Sequence, residues 1–558
     1  MVGSEVIESR PVQNVSQALQ GVVPGLNFSV NTSGGALDNS LNVNIRGAGT
    51  IGSGSNSSPL VLIDGVEGNM NAINPQDIES ISVLKDAASA SIYGARAAFG
   101  VILINTKSGK SGRTNVNYSG NVRFTDALAI PEMLDSYKFA QYFNEAAKNS
   151  GQGAVFSETQ MQRILAYQKG EITDGATINT TNNRWNNYTG ANANTDWFKE
   201  MYKDWVPSHE HNLSVSGGNE KVTYLVSGNF LDQNGLIAHG KDKFNRYTLN
   251  GKINATLSDY VKLNYSSKWI REDYKRPSYM TGLFFHNIAR RWPVNPVYDP
   301  NGYYMEGNEI IQMEDGGIQR NQKDYSYQQL QLVIEPIKDW KIYAEGNLNT
   351  ITNFQHWEVL PVYAHDVNGD QFAFSWDGRA VGSTTVNEYG YKENFMTTNI
   401  YSDYFKQFDN GHFIKVMGGF NAEVMKTRSL SAQGDGLITP SVPTVNTTTT
   451  NPSVGGGYAH WSTAGFFGRL NYNYKERYLV EANVRYDGTS RFVGDERWGV
   501  FPSFSLGWNI AREDFFADYT DKVSTLKLRG SWGQLGNMNT KLWYPFYQSL
   551  SVGTNNGY

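Results

Sequence analysis

The sequence predicts a small α/β plug domain, residues 1–112, followed by an antiparallel transmembrane β-barrel, residues 113–558, that is incomplete at about 13 strands. Two observations predict this order. Residues 60–107 show a compact succession of strand, turn, helix and strand. The roughly 450 residues that follow alternate polar and apolar side chains with the period of two that is typical of strands. A compact domain leading directly into a long β-array indicates a plug ahead of a barrel.

Composition argues against several classes of protein. The chain has no cysteine, and therefore no disulfide framework, thiolate metal site or cysteine nucleophile. Its net charge of -5 argues against a nucleic-acid-binding surface. No run of 18 apolar residues is present, so no transmembrane helix is predicted. Barrel strands escape such a search because only alternate residues face lipid.

The first domain is predicted from its apolar runs and chain breakers. No phosphate-binding loop or nucleophile elbow is present, so Asp64, which precedes a glycine, is interpreted as a turn former. The predicted elements are a helix over 14–20, strands over 41–46 and 60–63, a turn at 64–65, a helix start at 74–75, a strand over 78–84, a helix over 87–92 that ends at Gly94, and a strand over 100–106.

The second domain is predicted from alternation and from the lengths of its connections. Apolar side chains occupy every second position in 249–257, and after a turn the pattern resumes over 261–269. Short turns alternate with long polar segments, predicted as loops at about 125–208, 271–324, 351–393, 425–462 and 487–500. Short turns on one side, long loops on the other and strands of about 10 residues are typical of an outer-membrane barrel.

A soluble β-sandwich or propeller is the alternative for the second domain. Soluble sheets bury their apolar face and hydrate the other, so they show the same alternation. The regular exchange of short and long connections and the many strand aromatics favour the membrane barrel.

Long, ordered motifs in both domains carry a family resemblance. They are LIDGV at 62–66, NPQDIE at 74–79, VLKDAASASIYG at 83–94, RYDGTSRF at 485–492 and FPSFSLGW at 501–508. Together they resemble the TonB-dependent outer-membrane transporters, and more closely the SusC/RagA-like branch, which imports glycans or peptides in Bacteroidetes-type bacteria. The resemblance spans the whole chain.

The resemblance implies a function, a location and partners. The implied function is TonB-dependent import of a glycan or oligosaccharide across the bacterial outer membrane, with the plug gating the lumen from the periplasmic side. A peptide importer of the same family is the alternative, followed by a non-transporting receptor or adhesin. The implied partners are the TonB complex, a SusD-like surface lipoprotein and outer-membrane lipid. No nucleic acid, cofactor, metal or enzymatic activity is implied.

The resemblance also suggests how the plug is held. In the wider family, plug arginines pair with barrel glutamates. Arg46 matches one such position, and Lys85 lies where many relatives have a second arginine. A lysine is a point charge without the bidentate fork of arginine. Glu481 is the predicted barrel partner, because alternation with Val480 and Ala482 turns it inward.

Substrate contacts are expected from aromatic side chains in the long loops, since aromatic faces suit sugar rings. The candidates are Trp185, Tyr188, Trp197 and Trp292. The alternative is that these side chains pack within their own loops or lie in the aromatic belt at the membrane interface.

The two ends of the sequence predict a fragment. No signal peptide is visible after Met1, and residues 553–558 resemble an interrupted loop. Relatives carry an upstream signal peptide, a carboxypeptidase-regulatory-like domain and a TonB-contacting segment that this sequence does not show. Against a 22-stranded transporter, roughly nine strands are missing. Because an open sheet edge cannot face lipid, the chain alone is not expected to form a working pore.

The same β-rich pattern also occurs in two other classes of protein. A β-rich glycosidase needs two carboxylates about 5–10 Å apart, and no acidic residue here belongs to a recognisable catalytic motif. A passive porin or adhesin is the second class, but a porin has no N-terminal plug.

Overall fold

The computed structural model describes two connected parts, a small sheet with helices and one large sheet. The described residues are 2–10, 12–29, 36–37, 41–45, 47, 58–374, 378–519, 521–538, 540 and 542–548. We call the small part, which precedes residue 112, the plug, and the large sheet the wall.

The plug is built on a five-stranded mixed sheet with a separate two-stranded hairpin. Its strands are β1 (Val2–Gly3), β2 (Leu26–Ser29), β3 (Asn42–Ile45), β4 (Leu60–Ile63), β5 (Val66–Glu67), β6 (Ile78–Leu84) and β7 (Val101–Thr106). Its helices are α1 (Ser4–Glu8), α2 (Val15–Leu19) and α3 (Ala87–Ala90), with 3-10 turns at Pro75–Asp77 and Ser91–Arg96. The sheet order is β1-β6-β7-β4-β5, and β4 and β7 are parallel.

The plug sheet has an ordinary apolar core. Ile63, Ile78, Ile81, Ile102 and Ile104 are all buried and belong to one apolar cluster. The core forms because these runs are β-branched and covered on both faces, as in a buried mixed sheet.

Most of the elements predicted for the plug are present. Asn14 caps α2, and Asn74 caps the Pro75 turn through its side chain. The predicted helix over 87–92 is different: α3 ends at Ala90 and a 3-10 turn continues to Arg96. Gly94 has a φ of 73°, which glycine accepts and other residues rarely do. Gly94 is predicted to end a helix, but it instead forms a bend within the 3-10 turn.

The wall is one antiparallel sheet of thirteen strands, which confirms the predicted fold class and strand number. Its strands are β8 (Gly112–Thr125), β11 (Val206–Gly218), β12 (Val222–Asn234), β13 (Lys243–Ser258), β14 (Val261–Pro277), β15 (Ile318–Ile337), β16 (Trp340–Val359), β19 (Thr385–Gln407), β20 (His412–Leu437), β21 (Thr448–Tyr474), β22 (Tyr478–Thr489), β23 (Trp498–Asn509) and β24 (Lys527–Gly533). Each pairs with its neighbour in chain order. Within the described residues, β8 and β24 are the sheet edges and do not pair with each other.

Several wall strands are much longer than the predicted 10 residues. β20 has 26 residues and β21 has 27, so the predicted loop over 425–462 is wrong except for its centre. The predicted loop over 351–393 likewise contains the end of β16 and the start of β19. At about 3.3 Å per residue, β21 extends roughly 90 Å, far beyond a bilayer. Glycine, serine and threonine replace the apolar members of the alternation there, which removed the strand signal.

The wall reverses the usual arrangement of a sheet, as β13 shows. The polar side chains of this strand point toward the plug and are at most 8% exposed: Arg246 (2%), Thr248 (4%), Asn250 (1%) and Lys252 (8%). The large apolar side chains point away and are at least 41% exposed: Tyr247 (41%), Leu249 (55%), Ile253 (48%) and Leu257 (60%). A soluble sheet would do the opposite. An apolar outer face over a polar lumen is the pattern of a transmembrane barrel.

Connections of the wall alternate in length from β8 as far as β23. Short turns join β11 to β12, β13 to β14, β15 to β16, β19 to β20 and β21 to β22. The long connections hold the remaining elements: α4 (Ser136–Asn149), α5 (Glu158–Gln168), β9 (Ile178–Asn179), β10 (Arg184–Trp185), α6 (Trp197–Met201), α7 (Gly282–Arg290), α8 (Glu309–Asp315), β17 (Val362–His365) and β18 (Gln371–Phe374). None of the helices in the described ranges is long and apolar enough to cross a membrane.

Candidate functional site: the interface between plug and wall

Asp64 joins the plug to the wall. It follows β4 with a φ of 51°, so it does form the predicted turn. Its carboxylate accepts hydrogen bonds from Thr106 N (2.8 Å) and Thr106 Oγ1 (2.7 Å). The same carboxylate lies 3.1 Å from Lys252 Nζ on β13, and Gln329 Nε2 on β15 donates to the Asp64 carbonyl at 2.9 Å. Asp64 is therefore both a turn residue and one side of a plug–wall ion pair.

The carboxyl of Asp64 is held ionised by its neighbours. Burial alone raises the pKa of Asp64, whereas the positive charges of Lys252 and Lys268 and the hydrogen bonds from Thr106 lower it. The net pKa lies below its usual value. The ion pair thus persists across the neutral pH range.

Asp77 lies in the same region, but its pKa is shifted in the opposite direction. Its carboxylate accepts a hydrogen bond from Ser227 Oγ on β12 at 2.8 Å. Burial raises the pKa of Asp77, and the charge of Lys268 and the Ser227 hydrogen bond offset this only partly. Ionised Asp77 is thus a cost to the seated plug, unlike ionised Asp64.

Arg96 forms a second ionic contact. Its guanidinium pairs with Glu67 of the plug and, at 2.6 Å, with Glu423 of β20. The rings of Phe395 and Trp461 lie 5.3 and 5.6 Å from the guanidinium carbon. Arg96 and Glu423 are only 12% and 14% exposed, so solvent screens the pair weakly. Removing one partner would leave a poorly solvated charge.

The wall holds the plug largely through main-chain carbonyls. Each contact is a long wall side chain that donates to a plug carbonyl: Arg246 to Asn71 (3.1 Å) and Gln13 (3.1 Å), Lys252 to Thr106 (3.0 Å), Asn349 to Glu67 (2.8 Å) and Arg485 to Ile92 (2.5 Å). The net contribution of such a bond is about 0.5–1.5 kcal/mol for a neutral donor and about 1.5–3 kcal/mol for a charged one, well below its strength without water, because water can replace it. An interface of this kind can separate and re-form.

Shape also matters where the 3-10 turn meets β22. A Cβ on Gly94 would lie 2.7 Å from Asp487 Oδ2 and 3.0 Å from Arg485 Nε. Its positive φ and this close approach both require glycine. A smaller apolar contact exists elsewhere, where Ile270 and Tyr325 of the wall join the plug core.

Known proteins share this architecture. Residues 1–101 match the family model described as TonB-dependent Receptor Plug Domain. The chain is 27% identical over 565 residues to the TonB-dependent receptor SusC of Bacteroides thetaiotaomicron, covering 94% of this chain and 50% of that protein. It is also 27% identical over 564 residues to the TonB-dependent receptor P26 of Formosa agariphila, covering 96% of this chain and 51% of that protein. The chain is therefore similar to the SusC/RagA-like TonB-dependent receptors.

Solved structures show the same fold. The RagAB peptide importer in its closed-closed state superposes with a TM-score of 0.80 at 21% identity, covering 100% of this chain and 62% of that one. Its open-open state gives 0.79 at 22% identity, covering 98% and 60%. The chain spans about half the length of the curated relatives it matches. Those relatives are receptors, in agreement with the expectation that the chain is not an enzyme.

The three residues predicted to join plug and wall have three different outcomes in the structure. Arg46 lies outside the described residues. The Lys85 ammonium donates to the Pro24 carbonyl within the plug. Glu481 lies on the same face of β22 as Arg485, as its predicted inward orientation requires, and accepts from Asn471 Nδ2 (2.8 Å) and Asn483 Nδ2 (3.1 Å). Contact of these three residues across the interface stays a prediction.

The predicted aromatic candidates pack within the long connections of the receptor. Trp197 is fully buried, and its Nε1 donates to the Trp292 carbonyl at 3.1 Å. Trp292 packs among three phenylalanines and lies 5.2 Å, edge to face, from the Tyr188 ring. Trp185 is half-buried on β10, whereas Tyr188 is 49% exposed. Tyr188 is therefore the most accessible of the four.

Sequence reasoning missed Asp64, Lys252 and Arg96 as interface residues. The Asp-Gly turn motif already explained the presence of Asp64, so the sequence did not indicate a contact with the wall as well. A signal did exist at Lys252, where a lysine alternates with the apolar positions of β13 and so faces the lumen. Arg96 had none, because its partner Glu423 is 327 residues away.

Proposed function

We propose that this receptor imports a glycan or oligosaccharide across the bacterial outer membrane in a TonB-dependent manner. Residues 1–112 are the plug, and residues 113–558 form part of the barrel with its long extracellular loops. The plug fills the lumen from the periplasmic side, and TonB acts on it to open a path. The observation that carries this proposal is an interface of replaceable polar contacts inside a sheet whose outer face is apolar.

The physical chemistry of the interface supports gating. Water can satisfy the plug carbonyls and the wall side chains once they separate, so opening does not require large apolar surfaces to be hydrated. The ion pairs of Asp64 with Lys252 and of Arg96 with Glu423 fix the position of the plug against the wall. A SusD-like lipoprotein is proposed as the partner at the extracellular face, where the long connections lie.

A peptide importer is the second candidate. It is favoured by the fold, which matches structures of the RagAB peptide importer along nearly the entire chain. Exposed Tyr188 suits either class of substrate, because an aromatic face packs on sugar rings and on apolar peptide side chains.

Transport can be tested with the full-length gene product. In cells, we expect uptake of a labelled oligosaccharide that stops when the proton gradient or TonB is removed. In liposomes, the intact receptor should give little swelling, and deletion of residues 1–112 should give a large increase. Uptake independent of TonB, or equal swelling with and without the plug, would contradict the proposal. Uptake of labelled peptide but not oligosaccharide would support the second candidate.

A further inference from the structure

A basic cleft lies on the outer face of the wall, away from the lumen. Its volume is about 650 Å³, and it is bordered by the connection between β12 and β13 and by the ends of β13, β14 and β15. The cationic side chains that line it are Lys203, Lys241, Lys243, Lys275 and Arg320, against three acidic ones, Asp204, Asp242 and Asp273. The excess of positive charge is notable in a chain of net charge -5.

Three of these cations form one row across adjacent strands. Lys243 on β13 is directly opposite Lys275 on β14, and Lys275 is directly opposite Arg320 on β15. Like charges in directly opposite positions destabilise a sheet. An anion bound over the row would remove this cost.

The outer two cations are balanced by carboxylates, but the central one is not. Lys243 Nζ lies 2.7 Å from Asp232 Oδ2, and Arg320 Nη2 lies 2.8 Å from Asp273 Oδ2. For Lys275, the described part of the chain provides no ion pair or hydrogen bond to its ammonium group. The row therefore has an unneutralised centre.

The outer face of β13 carries a band of apolar residues, and the distance of the cation row from this band shows which layer of the membrane the row would contact. The outward residues of β13 are apolar or glycine from Tyr247 to Leu257, a length of ~33 Å along the strand, which a tilt of about 40° converts to ~25 Å of membrane. Lys243 lies four residues beyond this band, on the side of the long connections. That level, about 10 Å past the hydrocarbon, is where headgroups of the outer leaflet lie.

We propose that the cleft binds the phosphate of a phosphorylated glycolipid in the outer leaflet, with Lys275 at its centre. This inference rests on the outer-membrane location proposed above. A transported substrate does not reach the cleft, because it lies on the far side of the wall from the lumen. Trp205, which is 66% exposed at the rim, suits the membrane interface.

The test uses the full-length receptor purified in neutral detergent and titrated with phosphorylated lipopolysaccharide, with bound lipid counted by native mass spectrometry. We expect Lys275→Glu to weaken retention by about tenfold or more and Lys275→Gln to weaken it less, because each cation near an anionic surface adds modestly to binding. Lys406→Glu is the matched control, since Lys406 is an exposed cation on the outer face of β19 near the short-turn end of the wall. It should retain lipid like the unchanged protein.

The other arms decide the nature of the ligand. Dephosphorylated lipopolysaccharide should bind about tenfold more weakly, and inorganic phosphate at equal phosphate concentration should not displace the intact lipid. Equal retention by the Lys275 variants, equal binding of the dephosphorylated lipid, or displacement by inorganic phosphate would overturn the proposal. Substrate uptake by Lys275→Gln cells should be normal, so failure of lipid binding and failure of the proposed transport are distinguishable.

Discussion

The plug and the wall use the same strand alternation in opposite ways. In the plug, Ile81 and Ile104 are buried in an apolar core and charged residues lie at the surface. In the wall, Ile253 and Leu249 are exposed while Arg246 and Lys252 are buried. The plug is thus a small soluble domain inside a sheet built for lipid. The two meet through polar groups, because the outside of the plug and the inside of the wall are both made to contact water.

The largest expected effect comes from breaking the ionic contact where the two regions meet. Arg96→Glu would place a third carboxylate beside Glu67 and Glu423, and breaking such a weakly solvated pair costs about 3–5 kcal/mol. We expect a loosened plug and increased entry of a large antibiotic into cells that carry the full-length receptor. The double variant Arg96→Glu/Glu423→Arg should recover part of the seal.

Lys107→Gln is the matched control for this contact. Lys107 pairs with Glu8 within the plug at 2.6 Å, and both side chains are more than one third exposed. An exposed pair of this kind contributes only about 0–1 kcal/mol. If Lys107→Gln and Arg96→Glu leaked equally, the ionic contact would not be what seats the plug.

A charge on the outer face of the wall tests its lipid exposure. Ile253→Arg lies near the middle of the apolar band and should cost about 2–4 kcal/mol in a bilayer, whereas Leu257→Arg, at the edge of the band, should cost about 0–1 kcal/mol. The measurement is the fraction folded in lipid vesicles along a urea titration. A soluble sheet would tolerate both changes at these exposed positions, and no loss for Ile253→Arg would point to one.

The two plug carboxylates should respond to pH in opposite directions. The folded-state pKa of Asp64 is depressed, so its contribution is present above the unfolded value of about 3.9 and is lost as pH falls through the lower folded value. The folded-state pKa of Asp77 is raised, so stability is lost as pH rises from about 3.9 through the folded value.

Melting of the receptor in detergent at several pH values checks this contrast. At pH near 7, Asp64→Asn should destabilise the seated plug by about 2 kcal/mol, the scale of a hydrogen bond to a charged group. Asp77→Asn should be neutral or stabilising, because the amide oxygen still accepts from Ser227 without the cost of a buried charge. The effect of Asp64→Asn should shrink as the solution is acidified. Equal destabilisation by both variants at neutral pH would show that the two sites do not differ.

The smallest expected effect is on substrate. Tyr188→Ala removes the accessible ring of the loop aromatics and should weaken oligosaccharide binding by about 1 kcal/mol, or fivefold. Trp197→Phe, at a fully buried position, should leave affinity unchanged. Isothermal titration with the full-length receptor separates the two, and equal loss for both would indicate that loop packing, not ring contact, controls binding.

Much of the fold followed from the sequence, for physical reasons. Strand period and breakers predicted the plug elements, since propensity and capping act over a few residues. Alternation and connection lengths predicted thirteen strands but not their ends, because the outer halves of β20 and β21 lie beyond the apolar band and lose the apolar signal. The site was less predictable. Pairs such as Arg96 with Glu423 join residues that only strand register brings together, and a turn motif at Asp64 concealed its second role.

The central claim is that the plug is seated by polar contacts that must separate during transport. Asn74 Nδ2 of the plug donates to Asn212 Oδ1 of β11 at 2.8 Å, both buried, and the chain contains no cysteine to interfere with labelling. In the full-length receptor, joining Asn74→Cys to Asn212→Cys with a short thiol-reactive bis-methanethiosulfonate, which forms a disulfide with each cysteine and releases methanesulfinate, should abolish TonB-dependent uptake, and reduction of the disulfides should restore it. The same reagent on Ser80→Cys and Asn105→Cys, a register pair within the plug sheet, should leave uptake intact. Undiminished uptake with the plug joined to the wall would contradict the claim.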